Sequence, residues 1–358
     1  MDTLERFAEE TACPRPIPGN RVRILDDAMR FYDALLEDIR KARNYILMEF
    51  FVFREDVIST TILDALAERA EAGVRVCVVL DYFGCLQHFE EKKRWRPMKR
   101  SYIQSYRDRG VDLVFYRRKL FFPRNHRKLT LIDGKVAYTG GMNVSDLYKN
   151  GIPGVGKFWD MHLRIEGPAV DYLYAGFARI WEECGDRPPG VTSSGMPAPC
   201  GDMPVIVLES PLPGKNPNPE ELYCRLFASA EKSIRLITPY FWPTRSIRRS
   251  ILAASRRGIR VELLMGANSD LPFSILAAIL LHVARKLARK GYFTLHVQPG
   301  GFHHDKAVSV DGHLLTVGSY NLEYFSFRIN HELGVLLDDP SIAGEFDRYF
   351  DKCIHGGG

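Results

Sequence analysis

The sequence predicts an α/β protein made of two α/β/α sandwich halves related by a pseudo-twofold, and three observations carry that prediction. A strand–helix–strand pattern occurs twice, a polar His-x-Lys-x4-Asp motif occurs twice, and a Pro-, Gly- and Ser-rich stretch, DRPPGVTSSGMPAPCGDMP (186–204), lies between the copies. At 358 residues the chain exceeds what one hydrophobic core commonly organises, so halves at 1–190 and 204–358 joined by a linker at 186–204 are expected.

The first repeat opens on the apolar run YILMEFFVF (45–53). A helical pattern follows, with Ser59 or Thr60 as the expected N-cap, Ile62, Leu63, Leu66 and Ala70 on one face, and Gly73 as the stop. VRVCVVLD (74–81) then reads as a buried strand, completing a βαβ unit. Residues 230–266 repeat the plan: SIRLITPYFW, a helix through TRSIRRSILAASRRG, then IRVELLMG, with Gly258, Arg260 and Val261 at the places of Gly73, Arg75 and Val76.

The repeat is tightest at HRKLTLIDGKVAYTGGMN (126–143) and HDKAVSVDGHLLTVGSYN (304–321), which align without a gap. Each copy reads as strand, Asp-Gly turn, strand, and a Gly-containing loop ending in Asn143 or Asn321. His and Lys, two apart on an extended segment, project from one face. Asp133 and Asp311 precede Gly in the turn, which marks them as turn-stabilising rather than proton-moving residues.

This residue set suits a phosphodiester. Two lysines and two asparagine amides supply positive charge and donors as negative charge builds on the phosphoryl oxygens, while one imidazole attacks phosphorus and the other protonates the leaving oxygen. An attacking imidazole needs its far nitrogen held by an acceptor; Asp160 in KFWDMHLRIEGP and Glu332 in RINHELGVLLDD are the candidates, each with the alternative of an ordinary surface carboxylate. No metal or cofactor is called for. His303 beside His304 could suggest a ligand pair, but adjacent extended residues point to opposite faces, so His303 is expected to pack or to face solvent.

Composition is that of a protein folding in water, 46% hydrophobic and 26% charged, with no uninterrupted apolar run of membrane-spanning length. The first nineteen residues lack the apolar centre of a secretory signal, and seven scattered cysteines without a CxxC pair favour free thiols, so an intracellular protein is expected. Net charge is only +5, yet Lys92–Lys128 holds fourteen Lys/Arg against two acids, with Phe121 and Phe122 interleaved. That run is either a solvated surface or the footprint of a phosphate-rich partner, and charge does not distinguish nucleic acid from anionic lipid.

RNHRKLTLIDGKVAYTGGMNVSDLY, LRIEGPAV, TPYFWP and GFHHDKAVSVDGHLLTVGSYNLE resemble the phospholipase D superfamily, and within it the bacterial cardiolipin synthase branch, from about Tyr45 to Phe350. The resemblance implies two phospholipase D-like α/β/α halves sharing one active site at their interface. It implies His126, Lys128, Asp133, His304, Lys306 and Asp311 as the catalytic motifs, with Asp160 and Glu332 orienting the histidines. It further implies Asn143 and Asn321 as phosphate ligands, and a metal-free covalent phosphohistidine with His126 as the usual nucleophile. Arg124 and Arg127, in the basic approach to the first motif, are expected to help bind the substrate. Arg127 beside His126 favours neutral imidazole and Asp305 beside His304 favours the protonated form, although both side chains are expected to point away from the histidine face.

The implied activity is phosphatidyl transfer on phosphatidylglycerol or a related anionic phospholipid, giving cardiolipin. The alternatives are a hydrolytic phospholipase D or a nuclease, and a non-enzymatic module binding anionic membranes or nucleic acid, which leaves the duplicated histidines unexplained. Many bacterial cardiolipin synthases begin with two transmembrane helices; none is found here, so peripheral attachment to the cytoplasmic membrane is expected, with no obligatory nucleic-acid partner. The segment 271–293, apolar then basic, is either an interfacial helix or a core helix covering the sheet. NLEYFS departs from the family's N-L-D-x-R-S at Glu323 and Phe325, which bears on the acceptor alcohol.

Overall fold

A computed structural model describes residues 3–11, 14–89, 94–96, 98–117, 122–151, 153, 155–185, 189–191, 195–210, 218–268 and 274–355. Part of the expected linker, Lys92 and Lys93 of the basic run, Phe121 and the first three residues of the 271–293 segment lie outside them.

Fourteen strands form one mixed sheet. From its middle outward, the first half contributes Ile17–Leu25, His162–Glu166, Val136–Gly140, Leu129–Ile132, Tyr45–Phe50, Arg75–Asp81 and Asp112–Tyr116. The second half contributes, in corresponding order, Met203–Ser210, Glu332–Asp338, Leu314–Gly318, Ala307–Val310, Ser233–Ile237, Arg260–Gly266 and Thr294–Gln298. The two sets meet where Ile17–Leu25 runs antiparallel to Met203–Ser210, so the end of the expected linker is already part of the sheet. In each half the repeated βαβ unit gives a parallel pair, Tyr45–Phe50 with Arg75–Asp81 and Ser233–Ile237 with Arg260–Gly266.

The crossover helices are Val57–Glu71 and Arg245–Arg256. The first starts earlier than the sequence suggested: Asp56, not Ser59 or Thr60, is its N-cap, accepting from the Ser59 N–H at 3.0 Å, while the Ser59 hydroxyl is buried and donates to the Val144 carbonyl. Gly73 (φ 89°) and Gly258 (φ 85°) end the two helices in the left-handed region, as expected of helix stops.

Apolar side chains collect in three clusters. One spans both halves, joining Leu131 and Leu163 to Val317 and Val335 beneath the helices Ala169–Cys184 and Pro340–Ile354. The other two each belong mainly to one half, under Ala28–Lys41 with Val57–Glu71 and under Pro219–Ser229 with Arg245–Arg256. This is the layered arrangement expected, with one of its cores common to both halves. Leu4 and Phe7 of the helix Thr3–Thr11 cross to the second half's core. In the helix Ser274–Arg289, Leu280, Ala284 and Leu287 are buried and Ile279 is exposed, so its described inner stripe covers the sheet edge.

The hairpins of the two motifs are alike in detail. Asp133 (φ 53°) and Gly134 (φ 66°), and Asp311 (φ 56°) and Gly312 (φ 74°), put left-handed residues at both central positions of turns closed by Lys135 N–H to the Ile132 carbonyl and His313 N–H to the Val310 carbonyl, each within a three-residue loop between paired strands. The Asp133 carboxylate accepts from the N–H groups of Arg43, Asn44 and Tyr45 at 2.7–2.9 Å, and Asp311 accepts from Glu231, Lys232 and Ser233 at 2.7–2.8 Å. Each stands five positions along an extended segment from its motif lysine, roughly 16 Å of chain. Their grouping with the catalytic residues is therefore corrected: they tie the hairpin to the entrance of the neighbouring strand.

Arg127 also departs from its expected role. Its side chain turns to the face opposite His126, where Nε donates to Glu49 and Nη1 to Glu209, each at 2.8 Å, with all three groups nearly or fully buried. Glu49 belongs to the first half and Glu209 to the second, so Arg127 is an inter-half clamp rather than a substrate ligand. Gly176 makes room for it, since a Cβ there would stand 1.8 Å from the Glu209 carboxylate and 2.7 Å from the Arg127 guanidinium. Removing the arginine leaves the fully buried Glu49 without its cation, while Glu209 keeps Arg179. Arg127→Ala is expected to destabilise the fold by about 3–5 kcal/mol, read as a lowered thermal midpoint, whereas a substrate-binding arginine would leave that midpoint nearly unchanged.

Candidate active site

Each motif histidine is held by the other half. The His126 N–H donates to the carbonyl of His331 at 2.9 Å, and its ring Nδ1 lies 2.9 Å from Glu332 Oε2. The His304 N–H donates to the carbonyl of Trp159 at 2.7 Å, and its Nδ1 lies 2.6 Å from Asp160 Oδ2. In both cases the carbonyl belongs to the residue just before the carboxylate. Short parallel pairings support the contacts: Asn125 bridges His331, and Gly301–His303 pairs with Lys157–Trp159. With a carboxylate at each Nδ1, the proton on the neutral ring belongs there and Nε2 is left for chemistry.

The lysines follow the same plan. Lys128 Nζ donates to the carbonyl of His126 at 2.5 Å and Lys306 Nζ to that of His304. Both are buried. Burial draws the Lys128 ammonium down to about 7, with Glu332 opposing and the like charge of Lys306 adding to the shift. Burial also lowers His126, with Glu332 opposing and Lys128 and Lys306 reinforcing, and pushes the Asp160 carboxyl up to about 6 against the pull of Lys306, the Met161 N–H and Lys128. Residues of the two motifs thus perturb one another across the halves. Phe51 meets the His126 ring edge-on at 4.8 Å, while Phe158 and Phe302 flank His304 at 5.4 and 5.8 Å, keeping water from the imidazoles.

The asparagines are not equivalent. Asn143 Oδ1 accepts from the Val52 N–H at 3.0 Å and one amide hydrogen goes to Tyr148 Oη at 2.8 Å. The Asn321 side-chain oxygen is buried without a hydrogen-bond partner. Arg124 lies at the approach, its guanidinium 4.1 Å over the Phe83 ring. His303 is buried, stacked on Trp159 and bonded through Nδ1 to Asp305 at 2.8 Å. Asp305 also accepts from Tyr349 Oη at 2.8 Å. The charges of Arg127 and Asp305 are thus engaged away from the histidines, and the lowering of His126 comes from burial and the lysines instead.

Several residues of this site escaped the sequence reading. Ser319 and Ser326 donate to the two oxygens of Glu332, the latter at 2.6 Å, and Tyr148 Oη stands 3.3 Å from His304 Nδ1. Asp81 accepts from the Asn125 N–H at 3.0 Å, fixing the residue before His126. One signal was present: Ser319 aligns with Gly141, and a Cβ at 141 would stand 2.1 Å from Asp160 Oδ1. The glycine admits the shorter acid, and the serine binds the longer one.

The sequence profile of the family described as "Cardiolipin synthase, PLD-like domain" matches residues 35–181 and 223–354. The chain belongs to that family, and with it to the phospholipase D-like superfamily of enzymes. It is 29% identical to the probable cardiolipin synthase YwiE of Bacillus subtilis (strain 168), over 93% of this chain and 66% of that protein. It is 30% identical to cardiolipin synthase 1 of Staphylococcus epidermidis, over 94% of this chain and 68% of that protein. The chain thus spans about two thirds of the length of these relatives. Among solved structures, the phosphatidylserine synthase of Haemophilus influenzae Rd KW20 shares the fold with a TM-score of 0.75 at 17% identity, covering 97% of this chain and 90% of that one. The polyphosphate kinase of Porphyromonas gingivalis matches with a TM-score of 0.57 at 13% identity, covering 92% of this chain and 46% of that one. Among the described residues, no helix is long and apolar enough to cross a membrane.

A lysine drawn down to about 7 is largely neutral at pH 8, and an arriving phosphate favours its cationic form. Calorimetric titration with a soluble glycerophosphodiester at pH 8, in buffers of different ionisation enthalpy, should show uptake of up to about one proton per site. Lys128→Met should remove most of it; binding without proton uptake would mean that Lys128 is charged in the free enzyme.

Proposed function

We propose that the protein is a phosphatidyltransferase, a cardiolipin synthase that joins two phosphatidylglycerol or related anionic phospholipid molecules through a covalent phosphohistidine. The observation that carries this reading is the reciprocal grip on His126 and His304, each oriented at Nδ1 by the opposite half, with two buried lysines alongside. In this reading the halves are related by a pseudo-twofold, and one phosphodiester sits between the two Nε2 atoms.

The lowered proton affinity of His126 supports its role as nucleophile. Its Nε2 attacks phosphorus, the bond to the departing glycerol oxygen breaks, and that oxygen takes the proton carried by His304 Nε2. In the second half-reaction His304 accepts a proton from the hydroxyl of another phosphatidylglycerol, whose oxygen attacks phosphorus and releases His126. Glycerol and cardiolipin are the balanced products. Lys128, Lys306 and Asn321 would stabilise the charge on the non-bridging oxygens, and no step needs a metal ion. Membrane attachment is peripheral and cytoplasmic in this reading, with anionic phospholipid as the partner.

Mass spectrometry of products from defined phosphatidylglycerol in excess EDTA should show cardiolipin and glycerol; phosphatidic acid alone would make the protein a hydrolase, with water resolving the same intermediate. His126→Ala and His304→Ala should each lower turnover by roughly 10^3-fold or more. With lipid radiolabelled in its phosphatidyl part, His126→Ala should lose covalent label, while His304→Ala should still label slowly when the leaving alcohol is good. Label on His304 in the first variant, and none on His126 in the second, would reverse the assignment.

A further inference from the structure

The described residues leave nine large apolar side chains exposed, and five of them, Phe83, Phe122, Trp242, Tyr324 and Phe325, are joined in one chain of contacts. Trp242 pairs through its backbone with Glu323, next to Tyr324 and Phe325. Phe325 stacks on Phe122 with centroids 4.8 Å apart. The Arg124 guanidinium lies 5.7 Å from the Phe122 ring and 4.1 Å from that of Phe83. The five come from four separate segments in both halves and are 40–53% exposed. Four segments converging on one exposed aromatic belt is not the scattered apolar exposure of an ordinary surface.

Three of these four segments are tied to residues that hold His126, and the fourth, at Trp242, is tied to one of them through Glu323. Phe83 follows Asp81, which fixes Asn125, and precedes Gly84, whose backbone packs so closely on Phe51 that a Cβ would stand 2.1 Å from the Phe51 carbonyl oxygen. Phe122 lies four residues before His126. Tyr324 and Phe325 begin the short helix Tyr324–Arg328, which Glu323 caps by accepting from the N–H groups of Phe325 and Ser326 at 2.7 Å, and Ser326 holds Glu332. The belt therefore lies beside the elements that hold His126.

We propose that Phe83, Phe122, Trp242, Tyr324 and Phe325 form the surface that seats the enzyme on a bilayer of anionic glycerophospholipid, with the catalytic opening at headgroup level. This inference rests on the phospholipid reading above and adds the surface that meets the membrane. Trp242 and Tyr324 carry a polar group on an apolar ring, the residue type that settles at the headgroup boundary. The exposed Arg117, 3.9 Å over Tyr82 beside Phe83, supplies charge complementary to anionic headgroups, with the buried Arg124 held between two of the rings behind it. A single-stranded nucleic acid would need open ring faces for its bases. Here Phe122 and Phe325 cover one another and Arg124 covers Phe83, so these rings offer mainly edges, which suit acyl chains and glycerol.

The test separates docking from chemistry. With vesicles of dioleoylphosphatidylglycerol containing brominated acyl chains, a Trp95→Phe protein should lose fluorescence, and adding Trp242→Phe to it should leave a much smaller loss, because the two tryptophans that remain, Trp159 and Trp181, are buried. The double variant Trp242→Ser, Tyr324→Ser should bind these vesicles about tenfold or more weakly, yet turn over short-chain phosphatidylglycerol below its micellar concentration as the native protein does, which also shows that it is folded. Undiminished vesicle binding by the double variant, or a quench unaffected by Trp242→Phe, would overturn the proposal. So would concentration-dependent self-association that the double variant abolishes while vesicle binding persists, since the belt would then join two copies. Should the native protein fail to turn over phosphatidylglycerol, the transferase reading falls, while the vesicle measurements still decide the belt.

Discussion

Everything at this site depends on one reciprocal constraint: neither half completes its own histidine. The first half's imidazole is fixed by a carbonyl and a carboxylate from the second, at His331 and Glu332, and the second half's imidazole by Trp159 and Asp160 of the first. Each contact needs the halves in register to within hydrogen-bond tolerance, a few tenths of an ångström. The fused sheet, the core cluster spanning both halves and the Arg127 clamp supply that register. Inter-half stability and histidine alignment are in this protein the same property.

That constraint explains why so much charge is buried. Lys128 and Lys306, Glu332 and Asp160, Arg127 with Glu49, and Asp305 with His303 all lie in the interior, where an unpaired charge costs several kcal/mol. The two acids and Arg127 are compensated by specific partners. Lys128 donates to a backbone carbonyl and lies 5.4 Å from the Phe51 ring, and burial leaves it weak in its charge, a state that an anionic phosphate would reverse.

The duplicated halves have also diverged at matched positions. Glu332 has both oxygens satisfied by serine hydroxyls, whereas Asp160 is admitted by the absence of a side chain at Gly141 and bonds the Met161 N–H at 2.8 Å. Tyr148 approaches His304, while Asn321 has a side-chain oxygen without a partner where Asn143 has one. The two motif histidines therefore sit in unequal surroundings.

By itself the sequence determined the βαβ units, the Asp-Gly hairpins and the histidine–lysine pairs, because apolar periodicity, turn chemistry and residues two apart on a strand are local properties, and the repeat let each copy corroborate the other. It also marked Asp160 and Glu332 as candidate acids, but not which histidine each would serve. Only tertiary structure decided that the pairing crosses between halves, because residues 144 and 206 positions apart come together through sheet fusion, not through any local pattern. The same holds for Arg127: alternation on a strand predicts that it faces away from His126, yet nothing local reveals Glu49 and Glu209 waiting there. Asp56 replaced Ser59 as helix cap because Ser59 finds a distant carbonyl at Val144, and an aromatic belt assembled from four segments leaves no trace in any one of them. Local signals specify elements; the partners of buried polar groups are chosen only when the whole sheet closes.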